Sequence, residues 1–126
     1  MIFGIGTDIV SVSRISELYS RHGSRFAERI LSDDEYQEFK KLKRPEHFLA
    51  KRFAVKEAAA KALGTGFRDG LSLKHISVVH DELGKPELFF REYAKQLQQQ
   101  FNIGEMHLTI SDEQTHAVAF VILMKA

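Results

Sequence analysis

Residues 45–64 read PEHFLAKRFAVKEAAAKALG, which is the longest helical pattern in the chain. Pro45 suits the first turn of a helix, and Gly64 suits its C-terminal end. The apolar positions compatible with one buried side are Phe48, Leu49, Phe53, Ala59 and Leu63. The alanine run at 58–60 keeps the helix slim, so another backbone or a ligand can come close to it. We therefore expect a long central helix against which a sheet packs.

A second stretch, IFGIGTDIV at residues 2–10, reads as a buried strand that contains one carboxylate. Gly4 and Gly6 indicate a bulge or a close approach of another backbone. Two apolar residues follow Asp8, so this side chain is not simply the first residue of a solvent-exposed loop. A buried carboxylate is costly unless it is paired, hydrogen-bonded or bound to a metal. The sequence therefore predicts a partner for Asp8 elsewhere in the chain.

The remaining patterns place helices before the long helix and hairpins after it. Ser11 or Ser13 caps a first helix, a second follows Gly23, and Ser32 opens a third through a capping box with Glu35. After residue 70, strands are predicted at 74–81, 87–90, 106–113 and 116–124, with a helix at 91–102. Short turns join these strands, which favours antiparallel pairing. We expect one α+β domain over residues 1–126 with a mostly antiparallel sheet.

The composition excludes several classes of protein. The chain has 126 residues, of which 44% are hydrophobic, and this suits a packed core. Lys and Arg number 18 against 17 Asp and Glu, so the net charge of +1 gives no argument for nucleic-acid binding. The absence of cysteine excludes disulfides and thiol chemistry. Because no apolar run could cross a bilayer and the start lacks a signal-peptide pattern, we expect a cytoplasmic protein without membrane contact.

Charged residues on the long helix indicate a candidate binding or catalytic site. Glu57 and Lys61 are four residues apart and therefore neighbours on one helix face. Alone, they would be an ordinary solvent-exposed ion pair, worth roughly 0.3–0.5 kcal/mol. Asp8 also needs a partner, however, and the glycine-rich turn at 64–66 suits a phosphate. Two carboxylates from separate elements can hold Mg²⁺, which takes further oxygens from substrate phosphates. These residues therefore favour a magnesium–phosphate site.

Four motifs resemble those of the 4'-phosphopantetheinyl transferase superfamily. They are GIGTDIV at 4–10, FLAKRFAVKEAAAKALGTG at 48–66, DELGKP at 81–86 and MHLTISDEQTHAVAFVIL at 106–123. The resemblance extends over essentially the whole chain and is strongest to the small, single-domain branch, the bacterial holo-[acyl-carrier-protein] synthases. Its most specific part is the combination of an Asp that ends the first strand with F-x-x-K-E-A-x-x-K about 45 residues later.

The resemblance implies a reaction, a cofactor and an assembly. The phosphopantetheine group of coenzyme A would pass to a serine of apo-acyl carrier protein, releasing adenosine 3',5'-bisphosphate and supporting fatty acid biosynthesis. Asp8 and Glu57 would bind Mg²⁺ together with phosphate oxygens of coenzyme A. Lys61 would contact the phosphate region and stabilise the transferred phosphoryl group. Members of this size resemble compact α+β subunits that form homotrimers with active sites at the subunit interfaces.

The general base is left open among several groups. Our first choice is Glu57, acting directly or through a metal-bound water, and the second is His107, whose strand is expected beside the site. His107 could equally be a structural histidine of its strand. Many members of the family carry a Ser-His pair where this chain has Ser111 and Asp112. Asp112 or a water could therefore take the proton instead.

Two sets of residues are expected to bind the substrates. Acyl carrier proteins are acidic, and the resemblance places their docking surface on the early helices, where Arg14, Arg21 and Arg25 lie. The residues expected at coenzyme A are Arg52, Lys61, Gly64 and Gly66. Either set could instead be ordinary solvated surface or helix capping.

Two other functions use the same residues. A magnesium-dependent phosphohydrolase would employ both carboxylates with water as the nucleophile. A non-enzymatic binding module would use Asp8 and Glu57 as structural ion-pair partners of Lys56 or Lys61. The sequence does not distinguish Mg²⁺ from Mn²⁺, nor does it define the range of carrier proteins and acyl-coenzyme A donors. Only the resemblance specifies a trimer.

Overall fold

The chain forms five α-helices and two antiparallel sheets in a computed structural model that describes residues 1–126. The elements in chain order are β1 (Ile2–Ser11), α1 (Val12–His22), α2 (Ser24–Ile30), α3 (Asp33–Lys40), α4 (Glu46–Leu63), β2 (Ile76–His80), β3 (Pro86–Phe90), α5 (Glu92–Gln100), β4 (Ile103–Asp112) and β5 (His116–Lys125). A 3₁₀ turn at Leu73–His75 precedes β2. The predicted α+β class is confirmed, with the strands divided into a β1-β5-β4 sheet and a β2-β3 hairpin.

Helix α4 begins and ends where the sequence predicts. Pro45 is the N-cap residue, one position before the first turn, and its carbonyl accepts the Leu49 N–H at 2.8 Å. Gly64 adopts the left-handed conformation with φ of 81° and donates its N–H to the carbonyls of Ala60 and Lys61. A residue with a Cβ would be strained in this conformation, so glycine ends the helix at little cost. None of the helices combines the length and the apolar character needed to cross a lipid bilayer.

Strand β1 lies directly against the backbone of α4. A Cβ added to Gly4 would lie 2.0 Å from the Ala62 carbonyl oxygen, and one added to Gly6 would lie 1.9 Å from the Ala58 carbonyl oxygen. Both alanines are buried. The predicted close backbone approach at the two glycines is therefore confirmed, and small residues on both elements make it possible.

A buried ionic cluster joins α3, α4 and β2. Glu35 accepts hydrogen bonds from Ser32 N and Lys56 Nζ at Oε1, at 2.9 and 2.6 Å, and from Arg52 Nη1 and Val78 N at Oε2, at 3.1 and 2.9 Å. Burial lowers the pKa of Lys56 to about 8, although Glu35 opposes that shift. Burial opposes ionisation of Glu35 too, but Lys56, Ser32 and Arg52 together hold the pKa of its carboxyl below the ordinary value. The capping box predicted at Ser32 is confirmed, and its glutamate also anchors the long helix.

One face of the three-stranded sheet packs against α4, and the other is incompletely covered. Along β5 the residues that face α4 are fully buried: Ala117, Ala119, Val121 and Leu123. The opposite face carries Phe120, Ile5 and Ile9, which are 39%, 58% and 65% exposed. Both faces of β5 are apolar, as its sequence indicates, but only one of them is well covered by another element of the subunit.

Replacing Gly6 by alanine tests the backbone contact. We expect the free energy of unfolding to fall by about 3 kcal/mol, because the new methyl group overlaps a main-chain carbonyl that cannot move alone. Chemical denaturation measures the change. Gly84→Ala is the control for a methyl group added in open space: its Cβ meets nothing within 4 Å, and only its positive φ of 85°, which Gly6 does not share, should cost about 1 kcal/mol. Equal losses would contradict the proposed steric cause.

Candidate active site

Asp8 has the partner that its sequence context requires. It is paired with Ala119 in the β1–β5 register and points toward α4, on the same face as the two glycines. Lys61 Nζ donates to Asp8 Oδ1 at 3.1 Å and to the Thr7 carbonyl at 2.9 Å. The side chain of Asp8 is 17% exposed and that of Lys61 is 55% exposed. This ion pair therefore lies at the surface and is accessible to a ligand.

Glu57 lies one helical turn before Lys61 and faces the same region. Partial burial raises the pKa of its carboxyl, and the negative charge of Asp8 raises it further, while Lys61 and Arg14 act in the opposite direction. The influence of Asp8 on Glu57 shows that the two carboxylates, 49 residues apart in sequence, are brought together. Both carboxylates therefore lie near Lys61, and Arg14 adds a positive charge beside Glu57, whereas their joint binding of a metal stays a prediction.

The two carboxylates form a donor set that suits a hard divalent ion such as Mg²⁺. No cluster of three or more metal-ligating side chains exists in the structure, which disfavours a site enclosed by protein ligands alone. Mg²⁺ commonly binds one or two carboxylates and takes its other oxygens from waters and substrate phosphates. A solvent-accessible pair of carboxylates that repel each other suits such an ion. The donor set of Asp8 and Glu57 is therefore consistent with Mg²⁺ bound jointly with a phosphate.

Glu57 also lines a groove of about 900 Å³. Its lining comes from α1, α2, α4 and the segment after α4, and the apolar side chains in it include Leu18, Phe26, Phe53, Phe67 and Leu71. Basic side chains at the groove are His22, Arg25, Arg29 and Lys74. The groove is not evident from the sequence, because the residues that line it come from distant segments. Arg25 is the one predicted docking residue among them.

The three selected arginines have different environments. Arg25 lines the groove, and the charge of Arg14 acts on Glu57. Arg21 forms an exposed ion pair with Glu17 at 3.0 Å, one turn earlier on the same helix. The structure thus brings Arg14 and Arg25 toward the carboxylates and leaves Arg21 on the outer surface of α1.

Arg52 differs from its predicted role as a ligand of coenzyme A. Its side chain is only 6% exposed, and Nη1 donates to Glu35 at 3.1 Å and to Glu38 at 3.2 Å. The guanidinium also lies 4.5 Å from the centre of the Phe48 ring. These contacts already occupy the charge of Arg52, so the structure assigns it a structural role in the buried cluster in place of the predicted contact.

His107 requires a second correction. It is paired with Ile122 of β5, whereas Asp8 is paired with Ala119. Successive strand residues point to opposite faces, so partners of positions three apart lie on opposite sides of the sheet. Within one subunit, His107 therefore cannot act beside Glu57 as predicted.

Asp112 lies on the correct face but not beside the pair. It is opposite Ala117, which in turn is opposite Val10 on β1. Two strand spacings, roughly 10 Å, separate Asp112 from β1. The structure thus leaves Glu57 as the predicted base that lies within the site itself.

The glycine turn after α4 leaves open space in which a ligand could approach the backbone. Gly64 uses its N–H to cap the helix, and Gly66 N–H points to the Ala60 carbonyl at a long 3.5 Å. A Cβ at either glycine would meet nothing within 4 Å, so the space beside the turn is open. The turn therefore offers room for a phosphate near Lys61 but few free N–H donors.

Comparison with known proteins places this chain in a family. The family model described as the 4'-phosphopantetheinyl transferase superfamily matches residues 4–121. This chain is a member of that superfamily. It is 54% identical to the holo-[acyl-carrier-protein] synthase of Nitrosospira multiformis over 125 residues, which cover 99% of this chain and 100% of the relative. The resemblance inferred from the sequence motifs is confirmed.

Solved structures of transferases in this superfamily share the fold. The crystal structure of holo-[acyl-carrier-protein] synthase from Neisseria meningitidis superposes with a TM-score of 0.94 at 46% identity, covering 99% of this chain and 100% of that one. The enzyme from Bacillus anthracis, solved in complex with coenzyme A (3',5'-ADP), gives a TM-score of 0.84 at 38% identity over 100% and 99% of the two chains. The architecture described above is therefore that of this transferase family.

Asp8→Asn tests the electrostatic coupling of the two carboxylates. We expect the pKa of Glu57 to fall toward its ordinary value, because a like charge is removed and Lys61 is released. An NMR titration of the Glu57 carboxyl carbon measures it. Asp112→Asn makes the same charge change away from the pair and should leave the pKa of Glu57 unchanged. An unaltered Glu57 titration in Asp8→Asn would show that the carboxylates are not coupled.

Proposed function

We propose that the protein transfers the 4'-phosphopantetheine group from coenzyme A to a serine of an apo-acyl carrier protein. The observation that carries this proposal is the convergence of Asp8, Glu57 and Lys61 beside an open groove in a member of the transferase superfamily. The names of full-length relatives support it. We place the reaction in the cytoplasm, where it would supply carrier protein for fatty acid biosynthesis.

The reaction requires stabilisation of negative charge more than covalent help from the protein. The serine oxygen forms a bond to the β-phosphorus of coenzyme A, and the bond from that phosphorus to the bridging oxygen breaks. Adenosine 3',5'-bisphosphate leaves with the bridging oxygen, and the serine proton passes to a base. Charge accumulates on the phosphate oxygens as this happens. Lys61, more than half exposed at the end of α4, is suited to neutralise it.

Asp8 and Glu57 are the residues that would hold Mg²⁺. When bound, the ion would polarise phosphorus and neutralise phosphate oxygens as a Lewis acid. The chain contributes the placement of the two carboxylates, which is fixed by contact of β1 with α4. Binding would also remove the repulsion between them, which adds to burial in raising the pKa of Glu57 in the free protein.

Glu57 is the base that the structure supports best. It lines the groove and lies one helical turn before Lys61, so it is placed where the serine proton would be released. A water held by Glu57 could serve the same purpose. His107 of the same subunit lies on the opposite face of the sheet, and Asp112 is displaced across it.

We assign the groove and its arginines to carrier docking. An acidic protein would meet positive charge at Arg14 and Arg25, with Arg21 further along α1. The apolar side chains of Leu18, Phe26 and Phe53 would then cover part of the bound surface. Such docking would orient the acceptor serine toward Glu57.

We further propose a homotrimer. The sheet face that carries Ile5, Ile9 and Phe120 is apolar and has no cover inside the subunit. Contiguous exposed apolar patches mark interaction sites. A neighbouring copy would cover this face and could bring its own His107 near an interface, so the assembly is also relevant to catalysis.

A mass measurement tests the transferase proposal. Apo-acyl carrier protein incubated with coenzyme A, Mg²⁺ and this protein should gain the mass of one phosphopantetheine group. EDTA should abolish the gain, and Asp8→Ala should reduce the rate by at least about a hundredfold, as expected on loss of a metal ligand. Raised salt should increase the KM for the carrier much more than the KM for coenzyme A, since exposed charges guide docking.

The same assay distinguishes the alternatives. Release of adenosine 3',5'-bisphosphate without any carrier present would identify a hydrolase. A protein that loses stability in Asp8→Ala but shows neither transfer nor dependence on Mg²⁺ would be a binding module. A mass gain that persists undiminished in Asp8→Ala would keep the reaction but contradict the role of that residue.

Phe120→Asp tests the assembly. We expect a trimer for the unmodified protein and monomers for the variant, because three charges would be buried at the shared face. Sedimentation velocity distinguishes the two. Leu83→Asp is the control, since Leu83 is 95% exposed at the β2–β3 turn, and it should leave the assembly unchanged. A monomeric unmodified protein at micromolar concentration would overturn the proposal.

A further inference from the structure

The segment 67–74 forms one wall of the groove, yet hydrogen bonds hold it almost only to itself. Leu71 N–H donates to the Arg68 carbonyl, and the remaining local bonds connect Ser72 with Lys74 and His75. Beyond its bonds to the two residues that follow it, His75 and Ile76, one hydrogen bond reaches from this segment to the rest of the protein. It runs from Lys56 Nζ to the Leu73 carbonyl at 3.1 Å.

The backbone of the segment has little regular structure of its own. Asp69 and Gly70 have positive φ values of 58° and 97°, and only a single 3₁₀ turn at Leu73–His75 follows. Segments with few backbone ties open locally at low free energy. Apart from side-chain packing by Leu71 and its neighbours, the contact with Lys56 is the tie that fixes this wall.

Lys56 is held rigidly enough to act as such a tie. Its side chain is completely buried, and the ammonium group also donates to Glu35 Oε1 at 2.6 Å. Glu35 is in turn fixed to β2 through Val78 N–H at 2.9 Å. Lys56 therefore connects the groove wall to both α3 and β2, although it belongs to α4.

The position of Lys56 in α4 links the wall to the reacting groups. Its neighbour Glu57 lines the groove. Two consecutive residues of α4 therefore have separate roles: Glu57 places a carboxylate in the site, and Lys56 contacts segment 67–74. Movement of the wall relative to α4 would change the width of the groove at Glu57. The single bond to Leu73 opposes that movement.

We propose that Lys56 is a positioning residue that sets the groove wall 67–74 for carrier docking. This rests on the proposed function, in which the groove receives the carrier protein. Lys56 touches neither substrate, so its loss should leave kcat at saturating carrier nearly unchanged. The KM for the carrier should rise, because a loosened wall must be ordered again at each binding event.

Two matched variants test the tie itself. Lys56→Met and Arg52→Met each remove one buried cation from Glu35, but only Lys56 contacts Leu73. Hydrogen exchange of the amides in 67–75, measured on the full chain without substrates, should be at least about tenfold faster in Lys56→Met, as for a locally released segment. Arg52→Met should leave it near the unmodified rate. Equal acceleration of exchange in both variants, or none in either, would show that the Lys56–Leu73 hydrogen bond does not hold this segment in place.

Kinetics then test the role in docking. In Lys56→Met the KM for apo-carrier should rise by about tenfold with kcat changed less than about twofold, the pattern of lost binding and not of lost chemistry. Faster exchange with an unchanged carrier KM would overturn the docking role. If Lys56→Met does not fold, the double variant Glu35→Gln with Lys56→Met leaves no unpaired buried charge and takes its place.

The exchange measurement does not depend on the proposed reaction. If the protein transfers no phosphopantetheine, the proposed function is contradicted. Hydrogen exchange would still show whether Lys56 holds segment 67–74.

Discussion

The backbone of β1 lies in van der Waals contact with the backbone of α4, and the candidate site depends on that contact. Gly4 and Gly6 face Ala62 and Ala58 at distances that leave no room for a Cβ. Because strand residues alternate, Asp8 shares the face of the two glycines and is carried against the helix. The spacing between carboxylates from two distant segments is thus set by close packing of main chains, which is among the least deformable contacts in a protein.

This packing brings two like charges together in a partly exposed position. Lys61 compensates Asp8 directly, while Glu57 responds with a raised pKa. Burial and the charge of Asp8 still outweigh Lys61 and Arg14 at Glu57, so a further positive charge beside this carboxyl would be favourable. In the proposed function, Mg²⁺ held by both carboxylates would relieve the repulsion between them.

The sequence predicts the elements because these depend on local signals: caps, glycines and helical spacing. The Asp8–Glu57 pair joins residues 49 apart; the need of Asp8 for a partner suggested it, and the resemblance to the family motifs implied it. The sequence does not reveal that His107 faces away from the pair, since that depends on strand register, which shifts between Ile103 and Met106. It also missed the burial of Lys56. A signal for this burial exists, because Lys56 lies seven residues from both Leu49 and Leu63, on the side predicted to be buried.

Helix α4 carries two lysine–carboxylate pairs whose burial separates their roles. Lys56 and Glu35 are 0% and 1% exposed, and Glu35 accepts hydrogen bonds from three further residues, so removal of Glu35 would leave the buried charge of Lys56 unpaired. Lys61 and Asp8 are 55% and 17% exposed and share one hydrogen bond. An exposed pair of this kind contributes only about 0.2–1 kcal/mol and can exchange its partner for a phosphate or a metal ion. In the proposed function, the same kind of pair therefore stabilises the fold where water is excluded and takes part in the reaction where water reaches it.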